Sequence, residues 1–176
     1  MNRVRGVTAL ELLIVVSISA LLGLLAWPGF QSSLARAKLQ SERNALHHAL
    51  HQARRESIKR NEFVALCKSA DGNRCNPALR WSDGWLVFVD LDRKKPLQRA
   101  DDEPLVAVHK GVPEVQIHAN RNAFVVRTLR YRTTNGSILF CDKRRQASSL
   151  ALIVSYTGRP RMRPGDDLGG RLKCAD

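Results

Sequence analysis

The stretch "MNRVRGVTALELLIVVSISALLGLLAWPGF", residues 1–30, decides the fold. A short leader with Arg3 and Arg5 ends at Gly6, and the 19 residues 12–30 carry no charge. Because about 20 apolar residues span a bilayer as a helix, this run predicts a single transmembrane segment. The basic leader predicts that the N-terminus stays in the cytoplasm.

Glu11 lies at the start of the apolar run. An unpaired carboxylate is costly in hydrocarbon, so we expect it to have a partner. A secretory signal peptide would carry small residues for cleavage after the apolar run, not a glycine before it. A plain single-span anchor is the remaining alternative, although such an anchor has no need for Glu11.

The helical pattern continues past the apolar run. Five apolar residues recur at helical spacing and form one stripe: Leu39, Leu46, Ala49, Leu50 and Ala53. We therefore predict one helix from residue 7 to about residue 60, in which residues 7–30 span the membrane and residues 31–61 pack on a domain. His47 and His51 are i, i+4 neighbours that could bind a metal ion, but no carboxylate completes a site, and a solvated helix face is preferred.

After Asn61 the sequence is typical of strands, with short runs rich in β-branched and aromatic residues. The predicted strands are FVALC (63–67), GWLVFVDLD (84–92), PLVAVH (104–109), EVQIH (114–118), AFVVRTLRYR (123–132), SILFC (137–141) and SLALIVSY (149–156). Asn135-Gly136 predicts a hairpin turn between the fifth and sixth runs. The fold class is therefore α+β, with a long N-terminal helix packed on an antiparallel β-sheet domain of residues 62–176.

The sequence contains no pattern typical of an enzyme or of a cofactor site. No Ser/His/Asp or Cys/His set and no glycine-rich phosphate loop stands out. Asp90, Asp92 and residues 101–103 lack the spacing and the glycine of a calcium-binding EF-hand loop, so we interpret them as a solvated loop. We expect neither a metal ion nor a cofactor.

Four cysteines in a chain with a membrane-targeting start indicate disulfides formed in an oxidising compartment. Three connectivities are possible, and the sequence-local one joins Cys67 to Cys75 and Cys141 to Cys174. A zinc site is the competing interpretation. The chain has no C-x-x-C pair and no histidine at ligand spacing from a cysteine, which disfavours zinc.

The chain is strongly basic, with 29 Lys+Arg, 16 Asp+Glu and a net charge of +13. The excess is concentrated in the first and last thirds, because residues 61–120 hold 8 basic and 9 acidic side chains whereas residues 121–176 hold 12 and 4. Such a distribution favours an anionic partner, either nucleic acid or an acidic lipid surface.

The segment "RGVTALELL" resembles the class III signal of type IV pilins and pseudopilins. The resemblance implies that a prepilin peptidase cuts after Gly6 on the cytoplasmic side and methylates the new N-terminus at Val7. It also implies that Glu11 attracts the N-terminal amine of a neighbouring pilin subunit during assembly. The protein would then move from the bacterial inner membrane to a periplasmic or extracellular pilus. Val7 departs from the phenylalanine that the family usually has after the cut.

The segments "LCKSADGNRC", "WSDGWLVFVD" and "SYTGRPR" are similar to the FimT/GspH-like group of minor pilins and pseudopilins. Some FimT-type members carry a C-terminal Gly-Arg-x-Arg motif associated with DNA capture in natural transformation. The matching residues are Gly158, Arg159, Pro160 and Arg161. The resemblance therefore implies a minor pilin that binds extracellular DNA for uptake. The alternative is a structural GspH-like pseudopilin of a type II secretion system, or a minor pilin that primes assembly without binding DNA.

The motif follows the last predicted strand, so we expect it to leave the sheet as a surface loop or tail. In an extended segment Arg159, Arg161 and Arg163 would point the same way, whereas a polyproline II helix would splay them. Lysines and arginines elsewhere in the last third could join this motif if Cys141 pairs with Cys174: Lys143, Arg144, Arg145, Arg171 and Lys173. We then expect one basic patch that contacts DNA phosphates without sequence preference.

Overall fold

A computed structural model describes residues 8–127, 131–170 and 172–174, apart from the Pro28 side chain. The chain begins with helix α1 (Ala9–Arg60), which at about 1.5 Å per residue is about 78 Å long. Eight strands follow: β1 (Phe63–Lys68), β2 (Gly84–Asp90), β3 (Leu105–Lys110), β4 (Val115–Ala119), β5 (Ala123–Val126), β6 (Gly136–Asp142), β7 (Leu150–Val154) and β8 (Pro160–Pro164). Short 3-10 turns lie at Trp81–Asp83 and Gly165–Leu168.

Helix α1 has an apolar, exposed half and a half that packs on the rest of the chain. Its segment Ala9–Trp27 has a mean hydropathy of 2.4, is fully exposed, and is long and apolar enough to cross a membrane. The Thr8 hydroxyl caps this end by accepting the backbone N–H of Glu11 at 3.3 Å. The other end stops at Asn61, whose left-handed φ of 56° terminates the helix.

The second half of α1 packs on two four-stranded antiparallel sheets. The first sheet has the order β3-β2-β1-β5 and the second has the order β4-β6-β7-β8. Inward-facing side chains of both sheets join the predicted helix stripe, of which Leu39, Leu46 and Leu50 are fully buried, in one core. The α+β class and the helix on an antiparallel domain are therefore confirmed.

Contacts along the helix define two ends of this domain. At the near end, beside the apolar half of α1, Gln146 donates to Gln31 at 2.9 Å and Lys38 pairs with Glu114 at 2.9 Å. At the far end, β1 begins directly after the helix ends, and the register pairs Val64 with Val126. Strands β6 and β8 run from the far end to the near end, and β7 runs back.

The predicted hairpin at Asn135-Gly136 is wrong. Strand β5 ends at Val126 and pairs with β1 in the first sheet, whereas β6 begins at Gly136 and pairs with β4 and β7 in the second. The segment between them crosses from one sheet to the other. Gly136 also lacks the positive φ that this turn requires.

Both disulfides have the sequence-local pairing. Cys67 joins Cys75 across a separation of eight residues, and Cys141 joins Cys174 across 33. The second bond ties the C-terminal segment to the outer face of β6, where Leu139, Ala151 and Leu168 form a small apolar cluster.

Candidate nucleic-acid interface

The arginine motif begins at a tight turn set by Gly158. Strands β7 and β8 form a hairpin in which Ser155 and Arg159 face each other, with the Ser155 N–H donating to the Arg159 carbonyl at 3.2 Å. The three residues 156–158 close the loop, and Gly158 has a φ of +70°. A three-residue hairpin loop commonly ends on a residue in this left-handed conformation, and glycine adopts it without strain.

The expectation that the motif leaves the sheet is wrong. Residues 160–164 form β8, which pairs with β7 along its whole length. Residues 160–164 therefore have β-strand conformation, and the polyproline II alternative is wrong. Alternate residues of a strand point to opposite faces, and β8 places Arg161 beside Ile153 and Arg163 beside Ala151. Both arginines extend from the outer face of the second sheet, with about 7 Å between equivalent atoms.

The prolines of β8 occupy positions where a strand tolerates them. In an antiparallel ladder, hydrogen-bonded residue pairs alternate with pairs whose backbone N–H and C=O groups point away from the neighbouring strand. The N–H groups of Ser155 and Gly165 bond across the hairpin, so these two residues belong to hydrogen-bonded pairs. Pro160 and Pro164 belong to the other kind of pair, and their backbone groups point away from β7. Because β8 is the edge strand of its sheet, their missing N–H groups remove no ladder hydrogen bond.

The arginine guanidinium groups are available to an anion. Arg159, Arg161 and Arg163 are exposed. Within the part of the chain that the structure describes, Arg163 has a loose pair with Asp167 at 3.9 Å, whereas Arg159 and Arg161 have no ion-pair partner. An arginine fork of this kind can bind two phosphate oxygens at once.

The structure adds two residues that the sequence analysis missed. Arg132 lies over the ring of Tyr156, with 5.6 Å between its guanidinium carbon and the ring centroid. The Thr133 N–H also donates to the Tyr156 carbonyl at 2.9 Å, which fixes this segment beside the β7–β8 turn. Both side chains are exposed at the far end of the domain. Their sequence signal was hidden because Arg132 and Tyr156 each stood at the end of a predicted strand, AFVVRTLRYR (123–132) and SLALIVSY (149–156).

The basic residues do not form one cluster. Lys143, Arg144 and Arg145 lie in the turn after β6 at the near end, whereas Arg159 lies at the far end. The intervening strand β6 alone covers about 20 Å. The Cys141–Cys174 disulfide does bring Lys173 close to the end of β6, but Arg171 lies outside the described residues. The prediction of a single basic patch is therefore wrong, because the length of the strands separates the turn after β6 from the β7–β8 turn.

Comparison with known proteins gives the family. Residues 42–158 match the family model described as "Type II transport protein GspH". The chain belongs to the GspH family. The matched residues of this GspH-family chain end at Gly158, so β8 lies beyond them. No curated protein matches the chain.

Two crystal structures of the type IV minor pilin FimU from Pseudomonas aeruginosa (strain PAO1) are similar to the GspH-family chain. In one crystal form the TM-score is 0.53 at 16% identity, covering 74% of this chain and 92% of the FimU chain. In the other the TM-score is 0.52 at 17% identity, covering 73% and 94%. The GspH-family chain therefore has the type IV pilin fold, which is that of structural pilins.

The residues that the pilin resemblance assigns to processing lie at the start of the chain. Gly6 and Val7 are outside the described residues. Glu11 is in the first turn of α1, exposed, and its carboxylate has no ion-pair partner within residues 8–127, 131–170 and 172–174. Its assigned role in assembly stays a prediction.

The acidic loop is organised differently from the predicted solvated loop. Asp90 and Glu103 are buried, and with Asp92 they place carboxylate oxygens within 4.8 Å of one another. Glu103 accepts the backbone N–H groups of Leu91, Asp92 and Ala100, and Asp90 accepts that of Arg93. Burial raises the pKa of Asp90, and its backbone bond from Arg93 opposes that shift. The carboxylates thus satisfy the backbone of the loop after β2.

Proposed function

We propose that this GspH-family protein is a membrane-anchored minor pilin that binds extracellular DNA for uptake through Arg159 and the arginines of β8. Before assembly its N-terminal segment crosses the inner membrane with the N-terminus in the cytoplasm, and afterwards it joins other subunits in a pilus. The observation that carries the proposal is the pair Arg159 and Arg161, both exposed and without an ion-pair partner among the described residues.

Strand geometry supports phosphate binding by this pair. The backbone of β8 is fixed by its ladder with β7, so little conformational freedom is lost when a phosphate binds. Arg161 and Arg163 extend from the same face of β8, Arg159 directly precedes the strand, and Arg132 supplies a further cation beside the turn. The aromatic side chains at this end include Tyr156, Tyr131 and Phe63, and the Phe63 and Tyr131 rings contact each other at 5.7 Å. They do not form an interleaved series on which bases could stack, so we expect contact mainly with phosphates and binding without sequence preference.

The test is a mobility shift of duplex DNA by the full chain in neutral detergent micelles at several salt concentrations. About four phosphate contacts, from Arg159, Arg161, Arg163 and Arg132, correspond to a slope of about −3.6 in a plot of log affinity against log salt. In the variant Arg159→Gln/Arg161→Gln we expect the slope to fall by about half and the low-salt affinity to drop at least tenfold.

The matched control is Arg74→Gln/Arg80→Gln, which removes two exposed arginines elsewhere on the domain. We expect this control to change affinity by less than threefold, because its charges lie outside the proposed contact. Unchanged binding by Arg159→Gln/Arg161→Gln, or an equal loss in both double variants, would contradict DNA binding by β8.

The second candidate function is purely structural. The match to the GspH family and the pilin fold support a pseudopilin of a type II secretion system, or a minor pilin that primes assembly. In that case the full chain gives no DNA shift even at low salt. A prepilin peptidase would process the chain in either case.

A further inference from the structure

The turn after β6 lies beside the end of the candidate membrane span. The span ends at Trp27, and Gln31 is four residues further along α1, about 6 Å at the helical rise. Gln31 accepts a hydrogen bond from the Gln146 side chain at 2.9 Å. The polar headgroup layer of a bilayer is about 5–8 Å thick on each side. With α1 in a membrane, Gln146 and its turn therefore lie at headgroup level.

Two arginines flank this contact. Arg144 lines a cleft of about 190 Å³ whose helix side includes Trp27, Phe30 and Leu34. Lys38, Glu114 and Asp142 line the same cleft. Arg36 lies on the opposite side of Gln146, next to Ser32 and Ser33. Helical side chains tilt toward the N-terminus of their helix, so Arg36 leans toward the membrane.

Both acidic groups near these arginines already have a hydrogen-bond partner. Glu114 pairs with Lys38 at 2.9 Å, and the Asp142 carboxylate accepts the backbone N–H of Gln146 at 2.6 Å. Arg36 and Arg144 are exposed and have no ion-pair partner within the described ranges. The near end nevertheless carries a net positive charge at the level of lipid phosphates, because Arg36, Lys38, Lys143 and Arg144 outnumber Glu114 and Asp142. An exposed tryptophan, Trp27, of the type that lies at membrane interfaces is next to them.

We propose that Arg36 and Arg144 bind the phosphates of anionic phospholipids and hold the β domain against the membrane before assembly. The proposal rests on the membrane anchoring proposed above and is independent of DNA binding. The cleft between Arg144 and the helix accepts the headgroup phosphate at the Arg144 guanidinium and the start of an acyl chain along Trp27 and Phe30. Joining a filament breaks this contact, because the span then leaves the lipid.

The experiment is native mass spectrometry of the full chain released from micelles that contain phosphatidylglycerol and phosphatidylcholine in equal amounts. We expect retained phosphatidylglycerol to exceed phosphatidylcholine in the wild type. In Arg36→Gln/Arg144→Gln we expect the ratio to fall about fivefold for each arginine removed, the equivalent of the roughly 1 kcal/mol that a basic residue contributes near an anionic membrane. Arg144→Lys keeps the charge and should retain most of the preference.

The matched control is Arg159→Gln/Arg161→Gln, which removes the same charge at the far end and should leave the lipid ratio unchanged. An equal ratio of the two lipids in the wild type overturns the proposal, and so does an equal fall in both double variants. The DNA mobility shift is measured on the same proteins. If Arg36→Gln/Arg144→Gln abolishes the DNA shift and leaves the lipid ratio unchanged, the turn belongs to a DNA surface and the lipid proposal is wrong.

Discussion

Gly158 determines where the motif arginines point, because it closes the turn from which β8 starts. Its φ of +70° is unfavourable for other residues, and a Cβ there would lie 3.1 Å from the Thr133 hydroxyl oxygen. We expect Gly158→Ala to lower the free energy of unfolding by about 1–2 kcal/mol for the φ alone, with a further loss from the contact. Denaturant unfolding of the full chain in micelles measures both.

Gly169 provides the control for that prediction. It also has a positive φ, of +56°, but a Cβ there would have open space around it. Gly169→Ala should therefore lower the free energy of unfolding by the cost of the positive φ alone, without any loss from a steric contact. Equal losses in the two variants would mean that the Thr133 contact contributes nothing. In the DNA assay, Gly158→Ala should also weaken binding more than Gly169→Ala, because only Gly158 positions Arg159.

The strands differ in how well they can be predicted from their own residues. β2 is fully buried and rich in β-branched and aromatic side chains, so GWLVFVD was predicted from local composition. β8 was missed because PRMRP has two prolines and two charges, and it forms a strand only through its pairing with β7 and its edge position. The hairpin at Asn135-Gly136 failed for a related reason. Local turn signals do not show which sheet a strand joins.

The Cys67–Cys75 loop is an element whose stability should depend on pH through Asp71. This carboxylate accepts the backbone N–H groups of Arg74 and Asn73 and the Ser69 hydroxyl, and these bonds lower its pKa from 3.8 to about 2. A lowered pKa in the folded state stabilises the fold above pH 3.8, and that stabilisation is lost as the pH falls toward 2. The wild type should therefore have a larger free energy of unfolding than Asp71→Asn at pH 5, and this difference should become smaller as the pH falls to 2.

Unfolding in denaturant across that pH range measures this difference. Asp101→Asn replaces an exposed aspartate outside the loop and is the control. Its difference from the wild type should show no comparable narrowing. A constant difference for Asp71→Asn over the same range would show that the hydrogen bonds of the loop do not favour the ionised carboxylate.

At the scale of the whole molecule, two basic groups of the last third lie at opposite ends, with Lys143 and Arg144 at the near end and Arg132 and Arg159 at the far end. The sequence predicted the charge and both disulfides, but not this separation, which follows from the direction of β6 and β8 between the near and far ends. Sites this far apart should act independently. On the two proposals above, the near end meets the membrane and the far end meets solvent, so one chain would bind two anionic partners of different chemistry.

We expect Glu11 to be required for assembly of the protein into a filament. In the single chain its carboxylate has no ion-pair partner among the described residues, although it lies at the start of an apolar segment. A neighbouring subunit's terminal amine would complete a pair, and removing one partner of a buried pair costs about 3–5 kcal/mol. We expect Glu11→Gln to insert in the membrane normally and to fall more than 100-fold in the sheared pilus fraction. Glu56→Gln removes a half-buried acid on the same helix, one that pairs with Arg60 of its own chain, and should assemble like the wild type. Recovery of Glu11→Gln in pili at the wild-type level would mean that the pair does not hold the subunits together.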